Sequence, residues 1–134
     1  TSDEDSVRST FCTGPAIRNL KNNFFSEFIG TFVLVFGVLF IAIPNIEIDG
    51  LEVSSFGLGA LEALPVGILV WVIGLSLGGT TGYAINPARD FGPRIVYQLI
   101  PRKNKDADWS YAWIPILGPF TGGVVAGFIY LLLV

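Results

Sequence analysis

The residues able to do chemistry gather in one stretch, 82–94 (GYAINPARDFGPR), between two long apolar runs. Asn86 brings an amide, Arg89 and Arg94 bring guanidinium groups, and Asp90 brings a carboxylate. Asn86-Pro87 reads as a helix start, because Asn is a strong N-cap and Pro suits the first helical position. The helix would run to about Leu99, roughly 20 Å at 1.5 Å per residue. That crosses only about half to two-thirds of a bilayer's hydrocarbon core. A helix beginning at mid-depth brings unpaired N–H groups and about half a positive charge into the membrane. The extended residues before it, Gly82-Tyr83-Ala84-Ile85, bring carbonyls without helical partners. Such backbone persists at that depth only inside protein or along a watery cavity. The chemistry on offer is therefore hydrogen bonding along a polar path, with donors at Asn86 and the helix end and acceptors on the carbonyls.

Two charges sharpen this expectation. An Arg at the bilayer centre costs at least about 2.5–3.5 kcal/mol, and intramembrane charges are functional candidates by default. Arg89 lies one turn into the short helix and should project near the same opening; the alternatives are an ion pair with Asp90 or a side chain reaching the headgroups. Glu27 falls inside the first apolar run. A buried carboxylate needs donors, and the N–H groups of the irregular loop are the natural ones. Glu27 would then brace that loop; the alternative is a solvated carboxylate near the membrane face.

The elements that must position these groups are apolar and long. Residues 24–43 (FFSEFIGTFVLVFGVLFIAI) make a run of spanning length, since about 20 helical residues cover about 30 Å. Further runs cover about 61–81 and 111–134. Residues 82–100 are too short and interrupted to span. The expected fold is an all-α membrane protein with three transmembrane helices and one re-entrant half-helix. Residues 1–23 read as a polar loop, residues 45–62 as an acidic loop, and residues 101–110 as a charged loop. Gly118 and Gly122, Gly123 and Gly127, and Gly74 and Gly78 stand four apart, the spacing that lets helix backbones approach closely in lipid.

Composition agrees and excludes much else. Of 134 residues, 51% are hydrophobic and only 14% are charged, against roughly 25% charged in a soluble domain. Mean hydropathy is +0.63. The net charge is −3, and no basic cluster suits nucleic acid. Histidine is absent and Cys12 is the single cysteine. Triads that use His, His-ligated metals and an intrachain disulfide are therefore excluded. No metal or cofactor is expected, and Glu27, Arg89 and Asp90 make no acid–base set for an enzyme. The chain begins with Thr1 in a polar, acidic stretch, unlike a signal peptide, and reads as starting inside a longer protein.

The stretch TGYAINPARDFGPR, with a spanning helix on either side, resembles the second signature loop of the aquaporins, and residues 24–134 resemble the carboxy-terminal repeat of that fold. Asp90 after Arg89, then Arg94, then Pro115-Ile116, are similar to the glycerol-facilitator branch. The resemblance implies a passive channel for glycerol, water and other small uncharged solutes, excluding ions and protons, in a multi-pass protein of the cell membrane. It implies that Asn86, with Pro87 and Ala88, donates to the permeant at the pore centre, and that Arg89 is the filter arginine. It implies Tyr83 as the filter's aromatic and Gly74 as a position that leaves the filter wide, with carbonyls of Gly82, Tyr83, Ala84 and Ile85 along the path. Tyr83 departs from the Phe usual in the compared facilitator.

The resemblance also implies partners: an amino-terminal half with its own Asn-Pro-Ala loop, surrounding lipid, and a homotetramer with one pore per subunit. Lys and Arg fall in 1–23 and 101–105 and are missing from 45–62. The positive-inside rule would put the first two segments in the cytoplasm; the resemblance implies the reverse and is followed here. A secondary transporter with a broken helix at its substrate site is the alternative reading, and a membrane protein with a closed pore is a further one.

Overall fold

The computed structural model describes residues 2–41, 59–103 and 105–134. Its helices are α1 (Ser2–Phe11), α2 (Leu20–Phe40), α3 (Ala63–Thr81, entered through a 3-10 turn at Gly59–Glu62), α4 (Pro87–Leu99) and α5 (Trp109–Leu133). Three of them, α2, α3 and α5, are long and apolar enough to cross a membrane. Most of the acidic 45–62 stretch lies outside the described residues.

Local chemistry sets the ends. Asn19 caps α2 by accepting from the Asn22 N–H at 3.1 Å, so that helix starts four residues ahead of the apolar run. Gly82 closes α3 in the left-handed conformation, φ 76°, with its N–H on the Gly78 carbonyl. Asn86 caps α4 and Pro87 opens it. Residues 1–23 are not wholly loop, a correction to the sequence reading. α1 forms there and rests on the rest of the chain through Val7, Phe11, Cys12, Tyr97 and Ala107. The acidic residues Glu4 and Asp5 near its start and Arg8 near its end suit the helix dipole. Only two of its apolar side chains pack, too few to register as a period.

α2 and α5 run parallel through a glycine seam. A Cβ on Gly118 would lie 2.8 Å from Glu27 Cβ, and one on Gly122 would lie 2.2 Å from the Phe28 carbonyl oxygen. Farther along, the Phe40 and Tyr130 rings meet at 5.1 Å between centroids. α3 runs antiparallel to α2, with Ile73 and Leu77 at Gly30 and Leu69 at Gly37. Among the described residues, nothing beyond its own turn of helix lies within 4 Å of the Cβ position of Gly127, and Gly74 and Gly78 face a side chain, not a helix. Of the three spaced pairs, then, one makes the helix seam.

These directions put the start of α2, the end of α3 and the start of α5 on one side. Arg18 donates to both Asp108 carboxylate oxygens, at 2.6 and 2.9 Å, joining the approach to α2 to the N-cap of α5. α4 ends on the same side, where Tyr97 packs on Phe11 at 5.7 Å. The chain therefore enters after α3 and returns through α4 without crossing.

Gly122→Ala sets a methyl against backbone that cannot yield, an overpacking cost of about 1–3 kcal/mol. Gly123→Ala meets only Val35 and Thr31 side chains at 3.7 and 3.9 Å. Thermal unfolding of the detergent-purified protein should fall clearly for the first and stay near the parent for the second. The Arg18 guanidinium also holds the Asp108 carboxyl below the usual carboxylate range. A lowered folded pKa stabilises above the unfolded value and is lost as pH falls through the folded one. Stability should thus drop from neutral pH to about pH 3, and Arg18→Gln should shrink that drop in pH-dependent melts.

Candidate functional site

The site is built where the returning loop meets the middles of the three long helices. Glu27 is 1% exposed. Its carboxylate accepts from the Ala84 N–H at 2.9 Å and the Ile85 N–H at 2.7 Å, one on each oxygen. The Ile85 side chain abuts Gly30, the eleventh of the 21 residues in α2. The loop tip therefore sits at half the length of a spanning helix.

Its backbone is strained. Tyr83 has φ 34° and Ile85 φ 40°, both left-handed, and a β-branched residue there is an outlier. Each such residue costs of order 1–3 kcal/mol. Two N–H bonds to a carboxylate are worth about 1.5–3 kcal/mol each, enough to offset that strain. Among the described residues, no hydrogen bond ends on the carbonyls of Gly82, Tyr83, Ala84 or Ile85.

Asn86 has its carboxamide oriented by its own helix. Oδ1 accepts from the Ala88 N–H at 2.9 Å, and Nδ2 makes no hydrogen bond with the described residues. Capping consumes the acceptor and leaves the donor free. Arg89 is exposed and has neither ion pair nor hydrogen bond with the described residues; its guanidinium carbon lies 6.0 Å from the Tyr83 ring centre. Tyr83 lies on a glycine shelf: Cβ atoms on Gly74 and Gly78 would stand 3.2 and 3.0 Å from its ring.

An open groove of about 740 Å³ runs past these groups. Tyr83, Ala84, Ile85, Asn86, Pro87 and Arg89 line one part of it, and apolar side chains of α2, α3 and α5, with Thr31, line the rest. Gly74, Gly82 and Ala88 do not line it. Gly74 lies behind the Tyr83 ring, and Gly82 packs against Thr13 and Gly14. Pro115 is buried within α5, and Ile116 is half-buried beside it.

Asp90 does not pair with Arg89. Its partner is Arg94, one turn on, with Nη2 to Oδ1 and Nε to Oδ2 both at 2.7 Å and both side chains fully buried. Thr13 completes that cluster, and sequence reasoning misses it. It stands 77 residues from Asp90, and nothing in a polar stretch ahead of Gly14-Pro15 marks it.

A strained loop braced by a buried carboxylate, opening into a capped half-helix between three spans, calls for comparison with known proteins. The sequence model of the family described as major intrinsic protein matches residues 2–130. The chain belongs to the major intrinsic protein family. It is 50% identical over 131 residues to the "Probable glycerol uptake facilitator protein" of Thermotoga maritima, covering 97% of this chain and 51% of that protein. It is 49% identical to glycerol uptake facilitator protein 3 of Lactiplantibacillus plantarum, covering 97% and 50%. Among solved structures, the aquaglyceroporin from Plasmodium falciparum superposes with a TM-score of 0.66 at 31% identity, covering 90% of this chain and 48% of that one. The chain thus spans about half the length of the curated relatives it matches. It has the fold of one aquaporin repeat and is a multi-pass membrane protein.

Glu27→Gln keeps the shape but replaces one acceptor with an NH2, setting donor against donor at Ala84 or Ile85. An unsatisfied buried N–H costs about 1–3 kcal/mol. The variant's melting temperature in detergent should fall, and amide exchange at residues 84–85 should speed up relative to the α2–α5 seam.

Proposed function

We propose that this chain is the carboxy-terminal repeat of a passive channel for glycerol, water and other small uncharged solutes. The observation that carries the reading is the pairing of a free Asn86 amide with an unpaired Arg89 along one groove. Both are donors only at their free ends. The unbonded carbonyls of residues 83–85 provide acceptors. A molecule with hydroxyl groups and an apolar carbon edge suits such a wall, its hydroxyls on Arg89 and the carbonyls and its carbons on Tyr83. The glycerol named in the relatives' descriptions supports that choice of solute.

Selectivity follows from electrostatics. The start of α4 carries about half a positive charge, and Arg89 adds a full one, so cations and protons meet a barrier. No bond is made or broken, and no residue is given a catalytic role. Residues 24–134 would act as the repeat and residues 1–23 as the segment before it. The groove is open on one side, and α3 leaves Trp71 and Leu75 exposed. An amino-terminal repeat with its own Asn-Pro-Ala half-helix supplies the missing wall, lipid covers the outer apolar faces, and four such channels assemble as a homotetramer.

Vesicles carrying the complete channel should swell rapidly in a glycerol gradient, with a low activation energy and no saturation. Slow, saturating, steeply temperature-dependent entry would point instead to a carrier. Arg89→Val should broaden the range of permeating solutes several-fold relative to glycerol, measured by light scattering; an unchanged solute profile would remove Arg89 from the filter.

A further inference from the structure

Behind the groove, three segments distant in sequence meet at one buried guanidinium. Arg94 spends all five of its N–H groups. Nε and one Nη2 donor go to the two Asp90 oxygens at 2.7 Å. Nη2 also donates to the Thr13 carbonyl at 2.9 Å, and Nη1 donates to the carbonyls of Ala107 and Asp108. Asp90 Oδ1 accepts further bonds from Thr13, the N–H at 2.9 Å and the hydroxyl at 2.7 Å. Asp90 and Arg94 are both 0% exposed, and Thr13 is 6% exposed.

A buried ion pair is weak evidence for stability, because desolvation consumes most of its Coulombic gain; its best-attested use is to hold one arrangement against others. The arrangement held here has a definite content. Asp90 follows Arg89 directly, and neighbours on a helix leave the axis about 100° apart. With Asp90 clamped on the far side, the first turn of α4 cannot rotate, and the origin of Arg89 is set. The same Thr13-Gly14 segment bears on the other half of the opening. A Cβ on Gly82 would lie 3.5 Å from Thr13 Cβ and from the Gly14 carbonyl oxygen, and Gly82 precedes Tyr83. One short segment therefore touches both sides of the Arg89–Tyr83 gap.

We infer that Thr13, through Asp90 and Arg94, is a positioning residue that sets the aperture between Arg89 and Tyr83 and so the solute selectivity of the groove. This rests on the reading of Arg89 as the filter arginine. Removing Arg94 itself risks the fold, so the informative variant is Thr13→Val, which keeps the shape and the backbone N–H and removes only the hydroxyl donor. Thr13→Ser restores that donor.

The test is the ratio of glycerol to erythritol permeability of the complete channel in vesicles, a quantity independent of how much protein inserts. Thr13→Val should change the ratio by about threefold or more, a fraction of what one hydrogen bond to a charged group is worth, and Thr13→Ser should return it to the parent value. A parent ratio in Thr13→Val, a proportional fall of both permeabilities, or an equal change in Thr13→Ser overturns the inference. Arg89→Val is run alongside. If it changes the ratio while Thr13→Val does not, only the positioning role falls; if it too leaves the ratio unchanged, the filter reading fails and takes this inference with it.

Discussion

A carboxylate at membrane depth needs donors, and irregular backbone at the same depth needs acceptors. Glu27 and the Ala84–Ile85 peptide meet both needs in one contact, with each carboxylate oxygen taking one N–H. The geometry of the candidate site hangs from that contact. It carries left-handed Tyr83 and Ile85 against their strain, places Ile85 at the midpoint of α2, and leaves Asn86 to open a helix in the middle of the bundle. Neither partner would be tolerable at that depth without the other.

Close helix packing makes the contact possible. Glu27 reaches the loop from the edge of the helix seam, where Gly118 stands against its Cβ and Gly122 against the Phe28 carbonyl, and side chains larger than hydrogen at those two glycines would push α5 away. The glycines of α3 do a different job. Gly74 and Gly78 give the Tyr83 ring a flat bed, so the aromatic side of the opening lies back against a helix and faces Arg89 across 6.0 Å. Small residues thus serve backbone approach on one seam and side-chain placement on the other.

Charge is divided by location. Asp90 and Arg94 satisfy each other and the backbone of two segments behind the groove, at Thr13 and at Ala107–Asp108. Arg18 and Asp108 do the same at the entrance to α2 and α5, where solvent weakens the pair. Arg89 alone among the α4 charges stays without an ion partner among the described residues. A donor with nothing to donate to among the described residues, beside an amide whose oxygen is already used, is available to an acceptor from outside the chain.

Much of this was legible before any tertiary contact. Three apolar runs of spanning length, the Asn86-Pro87 cap and the half-length helix after it are local properties, and local rules of capping and length determine them. So is the mismatch between a polar GYAINPARD and its apolar flanks, which marks the site. Glu27 as a brace follows from the cost of an unpaired carboxylate in lipid. What tertiary structure alone decided are the choice among near partners and the pairings across long separations: Asp90 with Arg94 one turn on, not with its neighbour Arg89; Asp90 with Thr13, 77 residues away; Gly74 under Tyr83, not on the groove; and α1 docked where a loop was expected. Sequence spacing states which residues are near along a helix, but a hydroxyl at 13 and a carboxylate at 90 become neighbours only when α3 brings the chain back to the side on which α2 begins.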